Sequence, residues 1–196
     1  MKDKVYFTSD THYFHKNIME FSNRPFKDVD HMNDVLVDTW NSVVDPDDTV
    51  YHCGDVSLGP SNKTNNLLQR LNGKIHLIIG NHEKSILSNN GCKDRFESIN
   101  QYLTVKVPDE DARGGNQEIF MCHYAMRVWD KSHHGKWHLY GHSHDSLEHE
   151  VWGRSMDCGV DSAARILGSY IPFSYREIKQ IMSKREFKGV DHHEER

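Results

Sequence analysis

The apolar run Ile75-His76-Leu77-Ile78-Ile79 stops abruptly at Gly80-Asn81-His82-Glu83. A run this short and β-prone reads as a buried strand, and the change to glycine and polar side chains reads as the lip where it leaves its sheet. Four other polar signatures follow strand-like segments in the same way. Asp10-Thr11-His12 follows Val5-Tyr6-Phe7-Thr8-Ser9, and Gly54-Asp55 follows Thr49-Val50-Tyr51-His52-Cys53. His123 closes residues 118–122, and Gly141-His142-Ser143-His144 follows Trp137-His138-Leu139-Tyr140.

The intervening segments are helical in pattern. A helix capped by Asp30 and running to about Val43 places Val35, Leu36, Trp40 and Val43 on one face, and a second, at 61–72, carries Leu67, Leu68 and Leu71 before Gly73 closes it. Alternating strands and helices of this kind predict an α/β fold, a sheet with parallel members and helices packed on it. Beyond Asn90-Gly91 the rhythm changes to a hairpin of strands at 101–107 and 118–122. Two short strands at 147–152 and 155–160 follow across Gly153-Arg154, and the capping box Ser174-Tyr175-Arg176-Glu177 opens a last helix reaching about Ser183. The charged tail at 191–196, with His192 and His193, is expected to fray in solvent. With no repeat or linker-like segment, residues 1–196 are expected to form one domain.

A formal charge of −5 argues against a broadly basic nucleic-acid surface but leaves a nucleotide substrate open. The four cysteines form no CxxC pair and are expected as buried free thiols rather than a zinc knuckle or disulfide framework. No apolar leader opens the chain and no 18-residue apolar run interrupts it, so a cytoplasmic protein without a membrane span is expected. The fifteen histidines are the compositional outlier. About half lie in or beside the polar signatures, which points to metal.

Side chains at the strand ends of an α/β sheet converge on one crevice. Asp10, His12, Asp55, Asn81, His123, His142 and His144 match the ligand demand of two divalent ions roughly 3.5 to 4 Å apart. Asp55, with two oxygens and Gly54 before it, is the best bridge, and Asn81 offers a neutral oxygen. Imidazole, carboxylate and amide together suit Mn, Fe, Zn, Co or Ni better than Ca or Mg, with Mn the first expectation.

In this order and spacing, Asp10-x-His12, Gly54-Asp55, Gly80-Asn81-His82-Glu83, His123 and Gly141-His142-Ser143-His144 resemble the calcineurin-like metallophosphoesterase superfamily. The resemblance covers nearly the whole chain. It implies a four-layer α/β/β/α sandwich of two mixed sheets flanked by helices. It further implies one metal held by Asp10, His12, Asp55 and His144, the other by Asp55, Asn81, His123 and His142, with His82 beside the leaving group. Glu83 stands where the family more often has Asp, and is expected to start the next helix. Residues 10–17, including His15, and Arg24-Pro25-Phe26 resemble a branch of small bacterial and phage members.

The expected activity is two-metal-dependent hydrolysis of phosphate mono- or diesters, on a small molecule or nucleotide, by a metal-bridging hydroxide with Asp55 and His82 as catalytic residues. A nuclease acting on DNA or RNA is the alternative within hydrolases. A silent scaffold of the same fold would have lost ligands, and none is lost here. Arg24, Arg127 and Arg154 are candidates to grip a phosphoryl oxygen, since a guanidinium fork matches phosphate geometry. His15 is a further candidate for substrate contact. His52 and His76 are read as packing residues inside strands, His31 as a helix-face residue, and His133, His134 and His138 as either mouth or solvated loop. The partner expected is a phosphate-ester substrate, and the protein itself a monomer or homodimer.

Overall fold

The computed structural model describes residues 4–150 and 152–186; the tail with His192 and His193 lies outside them. In chain order the elements are β1 (Val5–Thr8), α1 (Ile18–Phe21), α2 (Val29–Val43), β2 (Thr49–His52), α3 (Ser61–Leu68), β3 (Lys74–Ile78), α4 (Lys84–Leu87), α5 (Asn90–Lys93) and β4 (Phe96–Asn100). They continue with β5 (Tyr102–Pro108), β6 (Asn116–Cys122), β7 (Trp137–Tyr140), β8 (Ser155–Asp157), α6 (Val160–Leu167), β9 (Phe173–Ser174) and α7 (Tyr175–Met182).

Two mixed sheets result. The first runs β4-β3-β2-β1-β9, parallel except for β9, and the second runs β5-β6-β7-β8, with β5 and β6 antiparallel and the rest parallel. Strand alternation divides the core in two. Tyr6, Val50 and Ile75 turn toward α2 and α3, where they meet Leu36, Trp40, Leu67 and Leu68. Phe7 and Ile78 turn the other way and pack with Ile119, Met121, Leu139 and Met156 of the second sheet, together with Ile178 and Met182 of α7. Each such buried side chain contributes roughly 1.5–3 kcal/mol relative to exposure. The parallel registers Thr8↔His52 and His52↔Leu77 align the ends of β1, β2 and β3 along one edge. The loops that leave that edge carry Asp10, Asp55 and Asn81.

Three sequence expectations are corrected. Asp28, not Asp30, caps α2, its side chain accepting from the His31 N–H. The strand expected at 147–152 is instead a turn with a single 3-10 turn at Glu148–Glu150, and Val151 lies outside the described residues. Glu148 there pairs with Arg185, an ionic contact that a ladder strand would forgo. The strand expected at 155–160 stops at Asp157 because Gly159 leads into α6 at Val160. The capping box at Ser174 is formed in both directions, and the four cysteines are free thiols. No helix among the described residues is long and apolar enough to cross a membrane.

His138 lies not at a mouth but fully buried in β7. Its Nδ1–H donates to the Phe120 carbonyl at 3.2 Å and its Nε2 accepts from the Met126 N–H at 3.1 Å, which fixes the neutral form. Burial pushes its pKa down to about 4 from an ordinary 6.5. Between those values the unfolded chain holds the extra proton, so stability is present above pH 6.5 and is lost as pH falls toward 4. A His138→Gln variant is expected to reduce the slope of unfolding free energy against pH, in that window, by about 1.4 kcal/mol per pH unit. Urea titrations at pH 7, 6 and 5 with metal chelated measure this, and identical slopes in the two proteins would contradict it.

Candidate metal centre

All seven candidate ligands meet at the strand-end edge. The backbone there is forced: Asp10, His12, Asp55, His142 and His144, five of the seven, have positive φ between 46° and 64°. Non-glycine residues in this region are strained and persist where surrounding contacts hold them. The contacts are visible. Asp10 N–H donates to the Gly54 carbonyl and His12 N–H to the Asp55 carbonyl, both at 3.0 Å, and His142 N–H donates to Asp10 Oδ2 at 2.9 Å. Gly54 and Gly80 bring β2 and β3 exits into backbone contact, since a Cβ on Gly54 would lie 2.6 Å from Gly80 N.

The donors form two groups: Asp10, His12 and His144, and Asp55, His123 and His142. In both, acceptors face acceptors. His123 Nδ1–H donates to the Cys53 carbonyl at 2.7 Å, which leaves its Nε2 lone pair 3.0 Å from Asn81 Oδ1 and 3.6 Å from Asp55 Oδ1. His144 Nδ1–H donates to Asp161 Oδ2 at 2.7 Å, turning its Nε2 toward Asp10 Oδ1 at 3.9 Å. His12 Nε2 lies 3.6 Å from Asp10 Oδ1 and 3.5 Å from Asp55 Oδ2, and both His12 Nε2 and Asp10 Oδ1 are buried with no hydrogen-bond partner. The imidazole–carboxylate separations, 3.5–3.9 Å, are long for hydrogen bonds and close to the ~3.4 Å between tetrahedral ligands on bonds of about 2.1 Å. Bare, buried, converging lone pairs are the chemistry of a cation site, so the residues fit two divalent ions.

The two oxygens of Asp55 face different groups, Oδ2 toward His12 and Oδ1 toward His123. Burial alone would raise Asp10, but the facing imidazoles of His12, His144 and His123 hold its carboxyl well below the usual range. Burial pushes His12 down against the pull of Asp10 and Asp55. Burial also opposes the charged form of His144, yet Asp161 and Asp10 raise it.

His82 is exposed; its backbone N–H donates to Asp55 Oδ1 at 2.9 Å while its ring stands 5.8 Å from that of His12. His15 places Nδ1 3.3 Å from His12 Nδ1, so it backs a ligand, and its own charged form is disfavoured by burial and then by His12 and His82. Arg24 is not free to clamp phosphate. Its Nε and one Nη grip Asp161 at 2.8 and 2.9 Å, the Nη atoms also hold the carbonyls of Thr11 at 3.0 Å and Asp10 at 2.7 Å, and the last N–H faces Met32 Sδ at 3.8 Å. Arg154 approaches Gly135, in a groove at the opposite end of β6 lined by Asn116 and Lys136. Arg127 is exposed, its guanidinium 4.5 Å above the Trp152 ring.

Three carboxylates support the site, of which Asp157 and Asp161 have no sequence signal and Glu83 reads in the sequence only as the start of a helix. Glu83, buried at the start of α4, accepts from the N–H groups of Gly80 at 2.7 Å, Val56 at 2.8 Å and Asp55 at 3.0 Å. It starts α4 as expected, and its side chain also joins two loops. Asp157 accepts from Ser143 Oγ at 2.5 Å and Asp145 N–H at 3.0 Å, shaping the His142-Ser143-His144 turn; burial, then the charge of Asp10, raises it to about 6. Asp161 links Arg24 to His144.

Two mixed sheets with a strand-edge cluster of carboxylate, amide and imidazole define an α/β protein with a candidate centre for divalent metal. The chain matches the calcineurin-like phosphoesterase family over residues 3–125 and belongs to that family. It is 28% identical to the Gene 66 protein of Mycobacterium phage L5 over 185 residues, covering 83% of this chain and 89% of that one. It is also 43% identical over 111 residues to an uncharacterised protein of Methanocaldococcus jannaschii, a match spanning 56% of this chain and 60% of that protein's length. A crystal structure of a protein of unknown function from Aquifex aeolicus superposes with a TM-score of 0.66 at 25% identity, covering 90% of this chain and 98% of the other. The family supports a metal-dependent phosphoester hydrolase that binds divalent metal.

Replacing Asp161 by Asn conserves volume but removes the charge and one of the two acceptor oxygens that serve His144 and Arg24. An affinity for manganese lowered about 10–100-fold is expected, read by titration calorimetry of metal-stripped protein. Unchanged affinity would show that Asp161 serves the fold alone.

Proposed function

We propose that this chain hydrolyses phosphate mono- or diesters of small molecules or nucleotides at a centre for two divalent ions, manganese first among them. The observation that supports this best is Asp55, buried with one oxygen toward each donor group. Asp10, His12 and His144 would hold one ion and Asn81, His123 and His142 the other, with Asp55 shared. Ions held there would supply Lewis acidity, an activated water and compensation for charge on the phosphoryl oxygens.

The chain's own residues do the rest. Cys53 and Asp161 hold His123 and His144 with Nε2 facing inward. The His82 backbone N–H fixes Asp55 while its exposed ring stands on the same edge, 5.8 Å from the ring of His12, where it would face the ester of a bound substrate. A protonated His82 gives a proton to the departing alkoxide. Arg24 orders the loop beneath.

With manganese and p-nitrophenyl phosphate or its bis ester, Asp55→Asn is expected to abolish turnover; activity equal to the native chain would sink the proposal. His82→Ala is expected to lower kcat by roughly 10²–10⁴-fold while the two-metal stoichiometry persists. Loss of a metal in that variant would instead make His82 a ligand.

A further inference from the structure

Beside the centre lies a pocket of about 270 Å³ walled by Met126, Arg127, Tyr140, Leu147, Glu150 and Trp152. Chain geometry ties it to the ligands. Met126 is three residues beyond His123 and Tyr140 two before His142, so the Cα atoms of these two walls lie no more than about 7–11 Å from those of the two ligands at 3.8 Å per residue. Tyr124, two residues before Met126 and 47% exposed, has its ring 5.0 Å from that of His123 and 4.8 Å from that of His142. A phosphoryl group at the His123 and His142 side of the centre therefore has this aromatic edge and the pocket behind it within reach of its ester substituent.

The lining discriminates among substituents. Trp152 and Met126 border the pocket with apolar surface, Tyr140 is buried behind them, and the Arg127 guanidinium, 4.5 Å from the Trp152 centroid, makes one wall planar and cationic. An acyl chain entering here would desolvate Arg127 and Glu150 without giving either a partner. A bare sugar would leave the aromatic faces uncovered. A heteroaromatic ring with amino and carbonyl edges meets both demands, stacking on the faces while Arg127 donates and Glu150 accepts.

We propose that this pocket is a nucleobase subsite, which makes the substrate class of the centre a nucleoside phosphate ester. The subsite rests on the phosphoesterase reading only for the placement of the phosphate. Stacking of a base on an aromatic side chain sets the expected size of the effect.

The test compares adenosine 5′-monophosphate with ribose 5-phosphate, which share sugar and phosphate and differ in the base. On the manganese-loaded full chain, quenching of tryptophan fluorescence is expected to show the nucleotide binding at least about tenfold tighter. Trp152→Ala is expected to bring the two affinities within about twofold, while Trp152→Phe, which keeps a ring and guards against a folding defect, retains most of the preference. Equal affinities in the native chain, or a preference that survives Trp152→Ala, overturns the subsite. Hydrolysis of bis(p-nitrophenyl) phosphate by the same preparations separates the two readings. A base preference without hydrolysis supports the subsite and sinks the phosphoesterase, whereas hydrolysis with equal affinities sinks the subsite alone.

Discussion

The carboxylate of Glu83 receives three backbone N–H groups at once, from Asp55, Val56 and Gly80. Those amides stand where β2 and β3 have just left their sheet, so the ladder no longer supplies acceptors. A buried amide without a partner costs roughly 1–3 kcal/mol, and one ionised carboxylate relieves three of them. Burial raises the Glu83 pKa, while the hydrogen bonds from Val56 and Asp55 pull it back. The same contact sets distance: with Gly54 against Gly80, the two exits are close enough for the His82 N–H to reach Asp55. Asn81 and His82 can then project past a carboxylate held on both sides.

The first donor group rests on a different support. Arg24 gathers the carbonyls of Asp10 and Thr11 and both oxygens of Asp161, and Asp161 in turn holds His144. Left-handed backbone at Asp10 and His12 points their side chains back over the sheet edge, a strained arrangement costing about 1–3 kcal/mol per residue that this buried guanidinium helps to offset. Three imidazoles are therefore oriented by three kinds of partner: a carbonyl for His123, a carboxylate for His144 and a second imidazole for His12. A carbonyl or carboxylate partner leaves Nε2 deprotonated and facing the centre, the form that binds metal.

This division explains what was legible in the chain. Asp10, His12, Asp55, Asn81, His123, His142 and His144 could be read because each follows a short apolar strand, and parallel pairing carries such ends to one edge. Strand β4 escaped notice because Phe96-Glu97-Ser98-Ile99-Asn100 spaces its apolar residues three apart, unlike the two-residue period of a half-buried strand. Residues 147–152 read as a strand, yet Glu148 is drawn to Arg185 rather than to a ladder. The bonds by which Glu83 reaches Asp55 and Val56, Asp157 reaches Ser143 and Asp145, and Asp161 reaches Arg24 and His144 join residues distant in sequence, for which no local pattern exists. Arg24 misled for a chemical reason: a guanidinium fork suits a carboxylate and a phosphate equally, and only burial decides which it meets.

The two halves of the centre are unequally open, and that asymmetry orients the chemistry. Asp10 and His12 are buried and His144 is largely covered, with Arg24 and Asp161 behind them. On the other side Asn81, His82 and His142 are exposed, and Tyr124 stands over His142 and His123. A rigid, dry support under one group and an open, aromatic-edged approach to the other separate two requirements that conflict in a single shell: ligands held too firmly to move, and a face that admits a bulky ester. Because the two oxygens of Asp55 face the two groups, the open side shares a carboxylate that the buried side also faces.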